Sequence, residues 1–139
     1  MTAPLPNPES TPPRTPEQIE QDKQMKRIMT GVIIGAVEQK ARVLRDALGP
    51  LATHRHVGDI RQAGLMCGIE LVADRQTKAS FPPGDRNGYH VCLALRDRGV
   101  FLRPLGDVLA LMPPLSSTDA ELRHLATSVH AAIVERFGA

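Results

Sequence analysis

The run from Val100 to Leu115, VFLRPLGDVLALMPPL, limits what this chain can fold into more than any other stretch. Apolar residues stand at Val100, Phe101, Leu102 and Leu105, and again from Val108 through Met112, with Gly106-Asp107 between them. That pattern predicts two short strands with apolar side chains on both faces, joined by a tight turn. Gly106 is free to take the positive φ such a turn uses. Pro113 and Pro114 lack backbone donors and stop the second strand. Arg103 is the one charge inside the first strand, and Pro104 holds it extended. A guanidinium fixed in this way offers a planar fork to a carboxylate or a phosphate.

Arg103 also has a plain structural reading, as the ion-pair partner of Glu70 or Asp107 or as an exposed edge residue. Glu70 lies between Ile69 and Leu71, so its carboxylate needs a partner. Structural pairing is the expectation for Glu70, because no second carboxylate is spaced to share acid–base work. His54 and His56 sit on a connector, while His124 and His130 are six residues apart on a helix and share no face. No Cys or carboxylate completes a ligand set around them, so no metal is expected. Cys67 and Cys92 fall at apolar positions and read as buried, inert thiols. A phosphate-cradling loop and a nucleophile elbow are both missing.

The elements around the hairpin follow from local signals. Six of the twelve prolines fall within the first sixteen residues, so 1–14 reads as a disordered tail. Thr15, Pro16 and Gln18 mark a helix start, but Gly31 and Gly35 each weaken it by about 1 kcal/mol. Residues 15–36 are therefore expected to be an irregular or frayed helix. From Val37 the helical spacing sharpens through Ala41, Leu44 and Leu48, and Gly49-Pro50 ends it. Thr53 to Gln62 reads as a connector, Gly64 to Val72 as one central strand, and Asp74 to Arg86 as a polar loop. A helix from about Asn87 buries Gly88, Val91, Cys92 and Leu95 and closes at Gly99. Thr118 and Glu121 form a capping box ahead of a last helix with Leu122, Leu125, Val129, Ile133 and Phe137 on one side. Helix, strand, helix, two strands and helix make an α+β fold, a small antiparallel or mixed sheet with helices on one face.

Composition narrows the function classes. Aromatic residues make up 3% of the chain and the net charge is +2, which argues against base-stacking modules and polyanion partners. No apolar run is long enough to span a membrane or to serve as a signal core. Two cysteines fit a reduced, cytoplasmic setting.

Two long motifs carry a family resemblance. His56 to Val72, HVGDIRQAGLMCGIELV, followed by Gly99 to Leu115, GVFLRPLGDVLALMPPL, resembles the C-terminal domain of class III PLP-dependent aminotransferases. Within that family the resemblance is to the branch that carries an amino group from S-adenosylmethionine to 8-amino-7-oxononanoate in biotin synthesis. It implies that 37–139 is the small domain of such an enzyme, with Arg103 as the substrate-carboxylate contact, while the proline-rich start and the helix at 15–36 fall outside the resemblance. It also implies that the complete enzyme is a PLP-dependent homodimer whose large domain holds the cofactor-binding lysine, aspartate and phosphate contacts. None of the four lysines here (Lys23, Lys26, Lys40, Lys78) stands in the family's lysine motif. The chain by itself is therefore expected to carry no catalytic residue and to bind no PLP, needing a large domain as its partner. The alternatives are a non-catalytic α+β module for a ligand or protein, or an inactive remnant.

Overall fold

A computed structural model describes residues 13–139. The tail expected at 1–14 lies outside the described residues, except for Pro13 and Arg14. The chain divides into two compact units, Met1–Gly35 and Ala36–Ala139.

The first unit begins helix α1, Pro16–Leu48. Thr15 and Gln18 close a reciprocal cap: the Thr15 N–H donates to Gln18 Oε1 at 3.0 Å, and the Gln18 N–H donates to Thr15 Oγ1 at 3.3 Å. Arg14 pairs with Asp22, and Lys23 with Glu20 at 3.7 Å. The helix runs unbroken through residues expected to be irregular or frayed. No proline follows Pro16 within it, and Glu, Gln, Lys and Met, which lose little freedom in a helix, outweigh two isolated glycines.

In the second unit the end of α1 turns Ala41, Leu44 and Leu48 into the core at helical spacing. A 3-10 turn, Gly49–Thr53, buries Leu51 and leads into a hairpin, β1 (Val57–Ala63) and β2 (Met66–Leu71). The expected connector thus holds a strand, and the strand expected from Gly64 begins only at Met66. Gly64, with φ +59°, starts the two-residue turn between them, the position at which a tight hairpin needs a positive φ. Helix α2 (Asn87–Arg96), strands β3 (Arg103–Leu105) and β4 (Val108–Leu111), and helix α3 (Asp119–Phe137) complete the chain.

The sheet order is β1-β2-β4-β3, and every pair is antiparallel. One face carries Cys67, Ile69, Leu71, Leu109 and Leu111 into a single cluster with Leu44, Leu95, Leu122, Val129 and Ile133 from the helices. This is the expected α+β architecture, with a fully antiparallel sheet and its helices on one side. The cap on α3 is the predicted one, with Thr118 and Glu121 bonding reciprocally. At the other end, His54 Nε2 bonds the Gly138 carbonyl at 2.9 Å, and His56 packs against Phe137 with ring centres 4.8 Å apart. No described helix is long and apolar enough to cross a membrane.

Candidate functional site

The β3–β4 hairpin sets the direction of Arg103. Arg103 pairs with Ala110 across the ladder, and Ala110 alternates with the buried Leu109 and Leu111. Successive strand residues point to opposite faces, so Ala110 and Arg103 face the side without helices. The register continues the row through Gly68 to Arg61, giving Arg103, Ala110, Gly68 and Arg61 on one face. Leu105, Val108, Glu70 and Asp59 form the next row on that face. Leu105 and Met66 are exposed there, with Met112 next in alternation beyond β4 and also exposed.

Both structural partners considered for Arg103 are engaged elsewhere. Glu70 lies 3.6 Å from Arg61, which also pairs with Asp59 at 3.2 Å. Asp107 Oδ1 accepts the Gly88 N–H at 2.9 Å. Among the described residues Arg103 makes no ion pair, and its side chain is exposed. It lines an open groove along the β3 edge with Phe101, Met112, Glu121 and His124. Glu121 is committed to the α3 cap, and the hydrogen bonds it accepts from Thr118 hold its carboxyl below the usual range. His124 Nε2 bonds the Arg98 carbonyl at 3.0 Å. Among the described residues Arg103 is thus the cation in this groove still available to an incoming anion.

Other candidates resolve as structural. Glu70 is paired, as expected, but by Arg61, which strand β1 carries in the segment expected to be a connector. A carboxylate and an arginine on facing strands become a visible signal only once the Ala63–Met66 hairpin is seen. Burial pushes the Cys67 thiol up to about 11 and raises the Cys92 thiol as well, against a smaller opposing effect of Arg96. Both thiols stay protonated and inert. No group of three potential metal ligands comes together among the described residues.

The four lysines lie at the surface or on a backbone carbonyl. Lys23, Lys26 and Lys78 are exposed, and Lys40 Nζ donates to the Leu115 carbonyl at 2.5 Å. Covalent attachment needs a lysine beside a phosphate cradle and a group facing the pyridine nitrogen.

The class III aminotransferase family matches residues 22–133, so the chain belongs to the class III aminotransferases, and the match takes in most of the helix at 15–36 that was expected to fall outside the resemblance. More particularly, it is similar to adenosylmethionine-8-amino-7-oxononanoate aminotransferases. The one from Nitratidesulfovibrio vulgaris is 54% identical over 91 residues, covering 66% of this chain and 17% of that protein. The one from Anoxybacillus flavithermus is 45% identical over 103 residues, covering 74% and 23%. The crystal structure of the Methanocaldococcus jannaschii enzyme superposes with a TM-score of 0.74 at 36% identity, covering 81% of this chain and 26% of that one. The chain thus spans about a fifth of the length of these curated relatives.

Proposed function

We propose that the chain serves as the C-terminal small domain of an aminotransferase that moves an amino group from S-adenosylmethionine to 8-amino-7-oxononanoate. It acts in this reading once a PLP-binding domain completes it, in a homodimer of the reduced cytoplasm. Arg103 is the observation that carries the proposal. It lies inside the matched segment, faces the open side of the sheet and has no carboxylate partner among the described residues. Both substrates are carboxylates, and a guanidinium takes a carboxylate through two parallel charge-assisted hydrogen bonds that fix its orientation. PLP, held by the completing domain, supplies the electron sink for amine transfer. This chain's part is to bind and orient. The exposed Met66, Leu105 and Met112 support a surface on which the PLP-binding domain rests. With no lysine placed for covalent attachment, the chain alone leaves PLP unbound and is inactive.

The test is reconstitution. The chain is coexpressed with the Nitratidesulfovibrio vulgaris relative, cut before the matched segment, in a bacterium lacking this aminotransferase. Growth without biotin and amine transfer by the purified complex are expected. Arg103→Ala should lower kcat/KM roughly 100-fold, since hydrogen bonds to charged groups are each worth about 1.5–3 kcal/mol. Arg103→Lys should recover only part, because a point charge cannot bind through a fork. No transfer by the complex, where the uncut relative is active, overturns the proposal. Unchanged kinetics in Arg103→Ala removes Arg103 from the site.

A further inference from the structure

We infer that Asp107 is a positioning residue for Arg103, latching the β3–β4 hairpin onto the N-terminus of α2 through Gly88. The inference rests on the reading of Arg103 as a carboxylate contact. β3 is a three-residue edge strand whose ladder runs to β4 alone. Its own ladder therefore holds Arg103 weakly, and the position of the arginine depends on how the hairpin is tied at its turn.

Asp107 makes that tie from both ends of the residue. Its backbone carbonyl accepts the Leu71 N–H at 2.8 Å, fastening the turn to the end of β2. Its carboxylate accepts the Gly88 N–H at 2.9 Å, fastening the turn to the first turn of α2. That amide is one of the donors every helix leaves without an intrahelical partner. Arg86, at the cap position of α2, supplies no side-chain bond, and the first turn holds no acidic residue. Asp107 thus brings from another part of the chain both the missing acceptor and a negative charge suited to the helix N-terminus.

Gly88 makes the approach possible. It is buried, and a Cβ added there would overlap the Gly106 carbonyl oxygen and lie 3.2 Å from the Asp107 Cα. The turn backbone lies directly on the helix, so any change in the Gly88–Asp107 bond moves the strand that carries Arg103. Asp107 does not touch the ligand; it sets where the guanidinium stands.

The test uses the isotope-labelled 139-residue chain with nonanoate, a plain nine-carbon carboxylate, as the probe. Nonanoate is expected to shift the Arg103 Nε–Hε resonance. Asp107→Ala should weaken the apparent Kd about tenfold, on the scale of losing one hydrogen bond between the guanidinium and the carboxylate. Asp107→Asn keeps an oxygen acceptor for Gly88 and should restore binding to near the wild-type value, which a general loss of stability would not explain. Should Asp107→Ala fail to fold, Asp107→Glu is read in the same way, because it keeps the charge and moves the carboxylate by one methylene. Equal affinities in wild type and Asp107→Ala (or Asp107→Glu where it stands in), or a loss in Asp107→Asn as large as in Asp107→Ala, overturn the latch while leaving Arg103 as the carboxylate contact. No shift in the wild-type chain overturns the carboxylate reading of Arg103, and the latch then has nothing to position.

Discussion

The two faces of the same four strands behave as if they belonged to different molecules. Cys67 is 2% exposed while Met66, its neighbour in β2, is 60% exposed. Leu111 is fully buried and Met112, the next residue, is 67% exposed. Both faces carry apolar side chains, but among the described residues only the helix-covered one is packed over. The covered face accounts for folding, while the open face shows apolar surface and a free guanidinium that folding does not use. Apolar surface gathered beside an unpaired charge is what a contact surface requires, and a folding core does not.

The comparison can be broken first on the covered face. Leu109→Ala should cost about 2–5 kcal/mol, the range for a fully buried leucine, seen as a large fall in Tm. A fall no larger than that of an open-face variant would show that the faces are not distinct. Gly68→Val should act in the opposite direction, stabilising the chain by up to about 1 kcal/mol. A Cβ at Gly68 meets only Val108 Cγ1 at 3.6 Å, an ordinary contact. The same substitution should impair reconstitution with a PLP-binding domain if another backbone comes close there; a gain in Tm with full reconstitution would remove Gly68 from that contact. Leu105→Lys and Met112→Lys should change stability by less than about 0.5 kcal/mol, as surface changes do, while reducing self-association in sedimentation. Chemical access gives the finest distinction. Native Cys67 should resist iodoacetamide at pH 8, because burial holds its thiol near 11, and rapid labelling would show that the covered face opens readily.

Acid provides a smaller effect away from the sheet. Hydrogen bonds from Thr118 lower the Glu121 carboxyl, so the ionised cap contributes its full stability above the ordinary glutamate value. That contribution disappears as pH falls through the lower, folded-state value. Glu121→Gln should flatten this part of the pH–stability curve, and an unchanged curve would show that the carboxylate is not responsible.

Most of the covered face was legible in the sequence because it follows simple periods. The α3 cap, the burial of Val91, Cys92 and Leu95, and the hairpin around Gly106 all come from patterns a few residues long. Strand β1 was not legible. A register shift between Val57 and Asp59 moves its apolar residues out of strict alternation, leaving Val57 and Ile60 at a spacing that suits no strand. Missing β1 hid Arg61, and with it the partner of Glu70. The availability of Arg103 could not be read from the sequence either, because it depends on two long-range engagements, Arg61 with Glu70 and Gly88 with Asp107. The helix expected from Thr15 is present, but it runs unbroken where fraying was expected, because two glycine penalties of about 1 kcal/mol are spread over a 33-residue helix.

Pro104 has one more consequence. It stands in the middle of a three-residue edge, and the opposite edge of the sheet is distorted by the shift at Val57. Neither margin presents a long, regular row of unpaired amides to an incoming strand. Association between copies of this chain is therefore left to side chains, because the sheet gives an incoming strand no long edge from which to grow a fibre.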